Sequence, residues 1–161
     1  MVMKMREILF RGKRVDNKEW CYGSYVDAKH HWHNRGVHRD WIVCSARSNG
    51  GWFATGEKHA VIHETVCEYT GLVDKNGCKI FEGDIVHLYG NDKQNRKYDW
   101  KAIVKFGNYN SKYSWGFQLK PLNDRKYNID ILLWQEMEMQ GCENIYCEVI
   151  GTIFEITDYS R

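Results

Sequence analysis

Apolar residues in this chain fall mostly in short runs of period two, separated by Gly, Asn and Asp. That is the spacing of β-strands joined by tight turns. Residues 5–26 read as a hairpin. Ile8 and Phe10 share one face of its first strand, Asp16-Asn17-Lys18 supplies the turn, and Trp20, Tyr22, Ser24 and Val26 share one face of the return. Trp41-Ile42-Val43 opens the next strand; after a turn at Gly50-Gly51, Trp52-Phe53 and Ala60-Val61-Ile62 are strand material. Leu72-Val73 and Ile80-Phe81 flank Asp74-Lys75-Asn76-Gly77, where Asn and Gly tolerate the positive φ of a tight turn. Gly83 predicts a sharp corner into the strand Ile85-Val86-His87-Leu88-Tyr89, with the Asp84 carboxylate accepting backbone amides at that corner. Trp100, Ala102, Val104 and Phe106 alternate with Lys101, Ile103 and Lys105, predicting an inward face and a mostly wet one. Tyr113, Trp115, Phe117 and Leu119 predict a third such strand. The period then changes. Ile129, Leu132, Leu133 and Met137 fall on one side of a short helix over 128–141, capped by Asn128 or Asp130 and ended by Gly141. Residues 146–156 predict a last strand with a bend or bulge at Gly151.

The run from Tyr69 to Val86, with its Tyr-Thr-Gly-Leu, Asp-Lys-Asn-Gly and Ile-Phe-Glu-Gly-Asp-Ile-Val pieces, resembles the signature of the YopX protein family, found in phages and prophages of bacteria. Two further pieces fit the same family in the expected order. One is Met5-Arg6-Glu7-Ile8-Leu9-Phe10-Arg11-Gly12-Lys13-Arg14, continuing to Trp20 and Tyr22-Gly23; the other is Glu148-Val149-Ile150-Gly151-Thr152-Ile153-Phe154-Glu155. Residues 28–58 and 90–146 match poorly. The resemblance implies a β-rich fold whose later half is similar to a small SH3-like barrel, and it carries no catalytic residue onto this chain. The expected fold class is therefore mainly β (β-rich α+β): an N-terminal β-hairpin lobe over 1–68, then an SH3-like barrel lobe with one short helix over 69–161.

Composition narrows the class. With 43% hydrophobic and 14% aromatic residues in 161, the chain is a folded globular protein rather than a disordered one. A net charge of +2 is too near balance for a body that lives on phosphates, although a local basic patch stays open. No apolar run reaches the length of a membrane span and no signal-peptide core follows Met1, so a cytoplasmic protein is expected. The six cysteines, which form no Cys-x-x-Cys pair, read there as reduced, small buried hydrophobes.

Candidate chemistry is sparse. Arg11, Lys13 and Arg14 gather near the hairpin turn, as a solvated strand end or as a basic edge that touches a partner. Residues 28–47 bring His30, His31, His33 and His38 together with Trp32, Arg35 and Arg39. Three readings stand for that segment: a polar loop, metal capture by His31 and His33 with Cys44 or His38, or nucleic acid with Trp32 on a base and Arg35 and Arg39 on phosphates. His59, His63 and Cys67 would line up as metal ligands on a helix, but Val61, Ile62, Thr65 and Val66 disfavour one; on a strand they are too far apart for one ion. Lys93, Arg96, Lys97 and Lys101 form a basic cluster, diluted by Asp92 and Asp99. No nucleophile–base motif, Walker sequence or His-Glu-x-x-His is present. The expectation is a non-catalytic binding or assembly module with no cofactor, whose partner is a protein or a second copy of itself. Nucleic-acid binding through 28–47 and 93–101 is the alternative, and a metal-dependent enzyme the third reading.

Overall fold

The structure, a computed structural model, describes residues 7–27, 40–44, 56–91, 95, 97–107, 115–122, 131–132 and 145–155. The described residues are almost entirely antiparallel β, and the chain divides into two compact units, 1–69 and 70–161.

The N-terminal unit is built on the predicted hairpin. Strands β1 (Phe10–Lys13) and β2 (Trp20–Val26) pair through Phe10↔Gly23 and Lys13↔Trp20, and Lys18 takes the positive φ (64°) that closes the turn. β3 (Asp40–Val43) pairs with β2, and β4 (Lys58–Val61) pairs with β3. The far edge of β4 then meets the end of β1. Arg14 bridges to Val61, the Val15 amide donates to Ala60 O (2.9 Å) and the Ile62 amide to Lys13 O (2.9 Å). The four strands thus come round on themselves as a ring. A 3-10 turn, His63–Thr65, follows; the Thr65 hydroxyl donates to Ile62 O and accepts the Lys13 amide. β5 (Cys67–Val73) returns along the first half of β1, Phe10 opposite Glu68. Inside the ring sit Cys21, Ile42 and Val61 with Phe10, Tyr25, Cys44 and Val66. A Cβ on Gly12 would come within 3.1 Å of Val61, so glycine sets how tightly the ring closes.

In the C-terminal unit the later part of β5 forms a hairpin with β6 (Lys79–Phe81) around the predicted 74–77 turn, where Gly77 has φ 81°. Asp74 holds that turn. One carboxylate oxygen accepts the amides of Asn76 (2.8 Å) and Cys78 (2.9 Å), and the other accepts the amide of Val149 (3.1 Å), far away in sequence. Gly83 (φ 78°) makes the expected corner, with Asp84 accepting the Phe81 amide at 2.8 Å. From it runs β7 (Asp84–Asn91), followed by β8 (Lys97–Gly107), β9 (Gly116–Pro121), β10 (Ile131–Leu132) and β11 (Ile145–Thr152). Their order is β10-β9-β8-β7-β11. The β11 register slips between Val149 and Gly151, the bulge foreseen at the glycine. Val86, Leu88, Trp100, Ala102, Val104, Phe117, Leu119 and Cys147 face one side, where Ile80 and Leu72 of the β5–β6 hairpin cover them.

Two expectations change. The helix over 128–141 is interrupted by strand: Ile131 and Leu132 pair with Leu119 and Gln118 of β9, because a sheet edge satisfies their backbone groups as a helix turn would. The rest of that segment lies outside the described residues. Among the described residues the C-terminal ladder runs from β10 at one end to β11 at the other, and a seam that closes on itself is seen in the N-terminal unit. Phe106, expected inside, is half exposed at the sheet's end and packs edge-on against Phe117 at 5.1 Å.

Candidate binding surfaces

Each unit presents one outward sheet face with organised side chains. On the C-terminal unit the residues between the core positions of β7, β8 and β11 point the other way. The ladder sets Tyr146 beside Tyr89 beside Asp99 in one row, and Glu148 beside His87 beside Lys101 in the next. The rings of His87 and Tyr89 lie 4.9 Å apart and those of Tyr89 and Tyr146 5.7 Å. His87 and Tyr89 border a cleft of about 390 Å³ whose lining includes Lys97, Tyr98, Asp99 and Glu148.

The polar groups of this cleft are matched to one another. Lys75 donates to the Tyr89 hydroxyl, lies over the Tyr89 ring, and pairs with Glu148 at 3.0 Å. Asp99 is 3.1 Å from His87 Nε2 and 3.4 Å from Lys97 Nζ. The consequences for charge follow. The Lys75 ammonium bond holds Glu148 below the ordinary carboxylate range, while the bonds to Tyr89 and then Glu148 push Lys75 up. The His87 bond, then the Lys97 bond, pulls Asp99 down.

The N-terminal ring has a different outer face. Residues opposite one another in an antiparallel ladder share a face, so Arg11 and Lys13 of β1 stand with Trp20 and Tyr22 of β2, and Trp41 and Val43 of β3 with Lys58 of β4. The Arg11 guanidinium lies 4.6 Å from the centre of the Trp20 ring and the Lys13 ammonium 5.2 Å; Lys58 lies 5.0 Å from that of Trp41. Arg11 is buried, Lys13 and Trp20 half-buried, and Tyr22 47% exposed. Inside the same ring, buried Asp40 accepts the Tyr25 hydroxyl at 2.9 Å and lies 2.5 Å from His63 Nδ1. Burial first, then the Asp40 bond, push Tyr25 up to about 12.

Of the residues the sequence singles out, Lys97 and Lys101 come onto one face of β8 with Asp99 between them, and Lys97 lines the cleft. Trp32, Arg35, Arg39, Lys93 and Arg96 lie outside the described residues, as do His30, His31, His33 and His38. His59, His63 and Cys67 are not brought together. His59 pairs with Glu57 (3.2 Å), His63 with Asp40, and buried Cys67 donates to Thr65 O. Among the described residues no three His, Cys, Asp or Glu side chains form a group able to hold a metal ion. Nor does a helix among them reach the length and apolarity needed to cross a membrane. Both surfaces arise from cross-strand register. The parity of Trp20 and Tyr22 on β2 was the available signal for the first, and that of His87 and Tyr89 on β7 for the second.

No curated protein matches the chain. Among solved structures it is similar to protein EF1440 from Enterococcus faecalis, with 20% identity and a TM-score of 0.49 over 94% of this chain and 96% of that one. A family model described as YopX protein matches residues 9–157. Since that match runs from just before β1 to beyond β11, the chain belongs to the YopX protein family.

Proposed function

We propose that the chain is a phage- or prophage-encoded, non-catalytic binding or assembly module acting in the bacterial cytoplasm, with the tyrosine-bordered cleft on β7, β8 and β11 as its protein-binding surface. One observation carries the reading: the cleft joins a row of aromatic rings to charges already neutralised by neighbours. Tyrosine supplies large contact area at low entropic cost, and pre-paired charges give specificity without leaving a buried ion alone.

A second copy of the chain is one partner the reading admits. The β11 edge is occupied by the 74–76 turn, where the Lys75 amide donates to Cys147 O (3.0 Å) and Asp74 takes the Val149 amide. Among the described residues the other end of the ladder is β10, and strand addition is assigned there. Affinity capture from cells carrying the parent phage tests the reading, using the wild-type chain beside a His87→Ala/Tyr146→Ala variant. A protein enriched by the wild type and lost with the variant is expected; an identical captured set from both overturns the assignment to this cleft.

A further inference from the structure

Two thiols meet inside the N-terminal ring. We propose that Cys21 and Cys44 form a disulfide when the chain encounters an oxidised thiol such as oxidised glutathione, giving the ring a reversible, redox-sensitive clamp between β2 and the end of β3.

Register places the pair. Ser24 stands opposite Val43 in the β2–β3 ladder, so one further step brings Cys44 to Gly23. Cys21, two residues along β2 from Gly23, shares its face and is the diagonal neighbour of Cys44. Both side chains accordingly pack into the ring with Ile42 and Val61. Glycine at 23 draws the strands closer still. A Cβ there would lie 2.0 Å from Val43 O and 2.9 Å from Cys44 Cα, so the end of β3 sits where only a glycine lets it. On the other side the Cys44 amide donates to Glu57 O at 2.8 Å. Cys44 is thus held from both sides, at the adjacent-strand spacing that matches the Cα separation of about 4.4–6.8 Å a disulfide needs.

The other described thiols are placed elsewhere. Cys67 on β5 is separated from β2 by β1, with Arg11 opposite both Cys67 and Tyr22, which is two strand spacings or roughly 10 Å. Cys78 and Cys147 belong to the C-terminal unit.

Exposure orders the chemistry. Cys44 is half-buried, whereas Cys21 is buried with its thiol donating to Gly12 O at 3.4 Å. The Cys44 thiolate attacks one sulfur of oxidised glutathione, forming a mixed disulfide and expelling one glutathione thiolate. Cys21 then loses its proton to solvent, and its thiolate attacks the Cys44 sulfur. The Cys21–Cys44 bond forms as the bond to glutathione breaks, and a second glutathione thiolate leaves. Two electrons pass from the protein thiols to oxidised glutathione, and the two protons released end on the two glutathione thiols. Burial, then the Cys44 thiol, push Cys21 up to about 11, which makes the second exchange the slow one. Excess reduced glutathione runs both exchanges backwards.

The reduced full chain, incubated with oxidised glutathione at mildly alkaline pH and quenched with acid, tests the proposal by peptide mass mapping. A Cys21–Cys44 link that dithiothreitol reverses is expected. Cys21→Ser should stop with glutathione on Cys44, and Cys44→Ser should leave Cys21 a thiol over the time in which the wild type becomes bridged. The bridged chain should also unfold at higher urea than the reduced chain, since the bond closes the loop from 21 to 44 in the unfolded state. The proposal is overturned by a wild-type chain in which no Cys21–Cys44 link forms, whether or not glutathione stays on Cys44, or by a bridge that leaves the urea midpoint unchanged or lowers it. Mapping of the wild type needs no variant, so the test stands even where serine unsettles the ring interior. The His87→Ala/Tyr146→Ala variant should bridge as the wild type does, so failure here leaves the C-terminal cleft unaffected, and the reverse.

Discussion

Replacing Asp74 probes how the C-terminal unit is tied together. Its side chain, 5% exposed, receives three backbone amides: Asn76 and Cys78 in its own turn, and Val149 on β11. A hydrogen bond to a charged group contributes about 1.5–3 kcal/mol net. The two turn amides can recover part of that from water, so Asp74→Ala should cost about 3–5 kcal/mol, a large share of the 5–15 kcal/mol typical of a domain. Asp74→Asn separates the two jobs. Its remaining oxygen can serve the turn, but its amide nitrogen then faces the Val149 N–H, donor against donor, at a cost of about 1–3 kcal/mol. Urea denaturation should rank wild type above Asn and Asn above Ala. Native-state hydrogen exchange should show the Val149 amide losing protection in both variants, and the Cys78 amide only in Ala. An Asp74→Ala chain within about 1 kcal/mol of wild type, or a Val149 amide still protected in Asn, would refute the role assigned to this carboxylate.

Gly83→Ala places a Cβ 3.0 Å from the Phe154 ring at φ 78°, so a loss of about 1–2 kcal/mol should appear in the same denaturation assay. Glu148, depressed below its ordinary 4.5, should show a carboxyl NMR midpoint below that value, which Lys75→Met moves back up. The sign is that of a depressed acid: its stabilising pairing is complete at neutral pH and is lost as pH falls through the lowered folded midpoint. Among the described cysteines, iodoacetamide at mildly alkaline pH should modify exposed Cys78 first, leaving Cys21, Cys67 and Cys147 until denaturant is added. Burial first, then the neighbouring Cys44 thiol, push Cys21 up to about 11, so mass-mapped early labelling at Cys21 would contradict the packed interior of the ring.

Where local chemistry decides the backbone, the sequence was readable. Asn-Gly in the 74–77 turn, Gly83 with Asp84, the alternation along β8 and Gly151 in β11 all declare themselves within a few residues. The family could be recognised from those same pieces. Ile131 and Leu132 misled because their apolar spacing suits a helix face, while the backbone partners at Leu119 and Gln118 that draw them into a strand lie outside that window. The third amide on Asp74 and the Arg14–Val61 bridge are likewise fixed by long-range register, which no local pattern encodes. The outward sheet faces were half visible. The common face of Trp20 and Tyr22 and the basic run of Arg11, Lys13 and Arg14 could each be read, but joining them required the β1–β2 register.

The double use of β1 governs how the N-terminal unit can come apart. One margin of β1 serves β2, while the opposite margin is divided, its first half going to β5 and its last residues to the β4 seam. Peeling away that single short segment breaches three partnerships at once, so β1 cannot fray while the ring stays shut. Opening of the ring at this strand is thereby penalised.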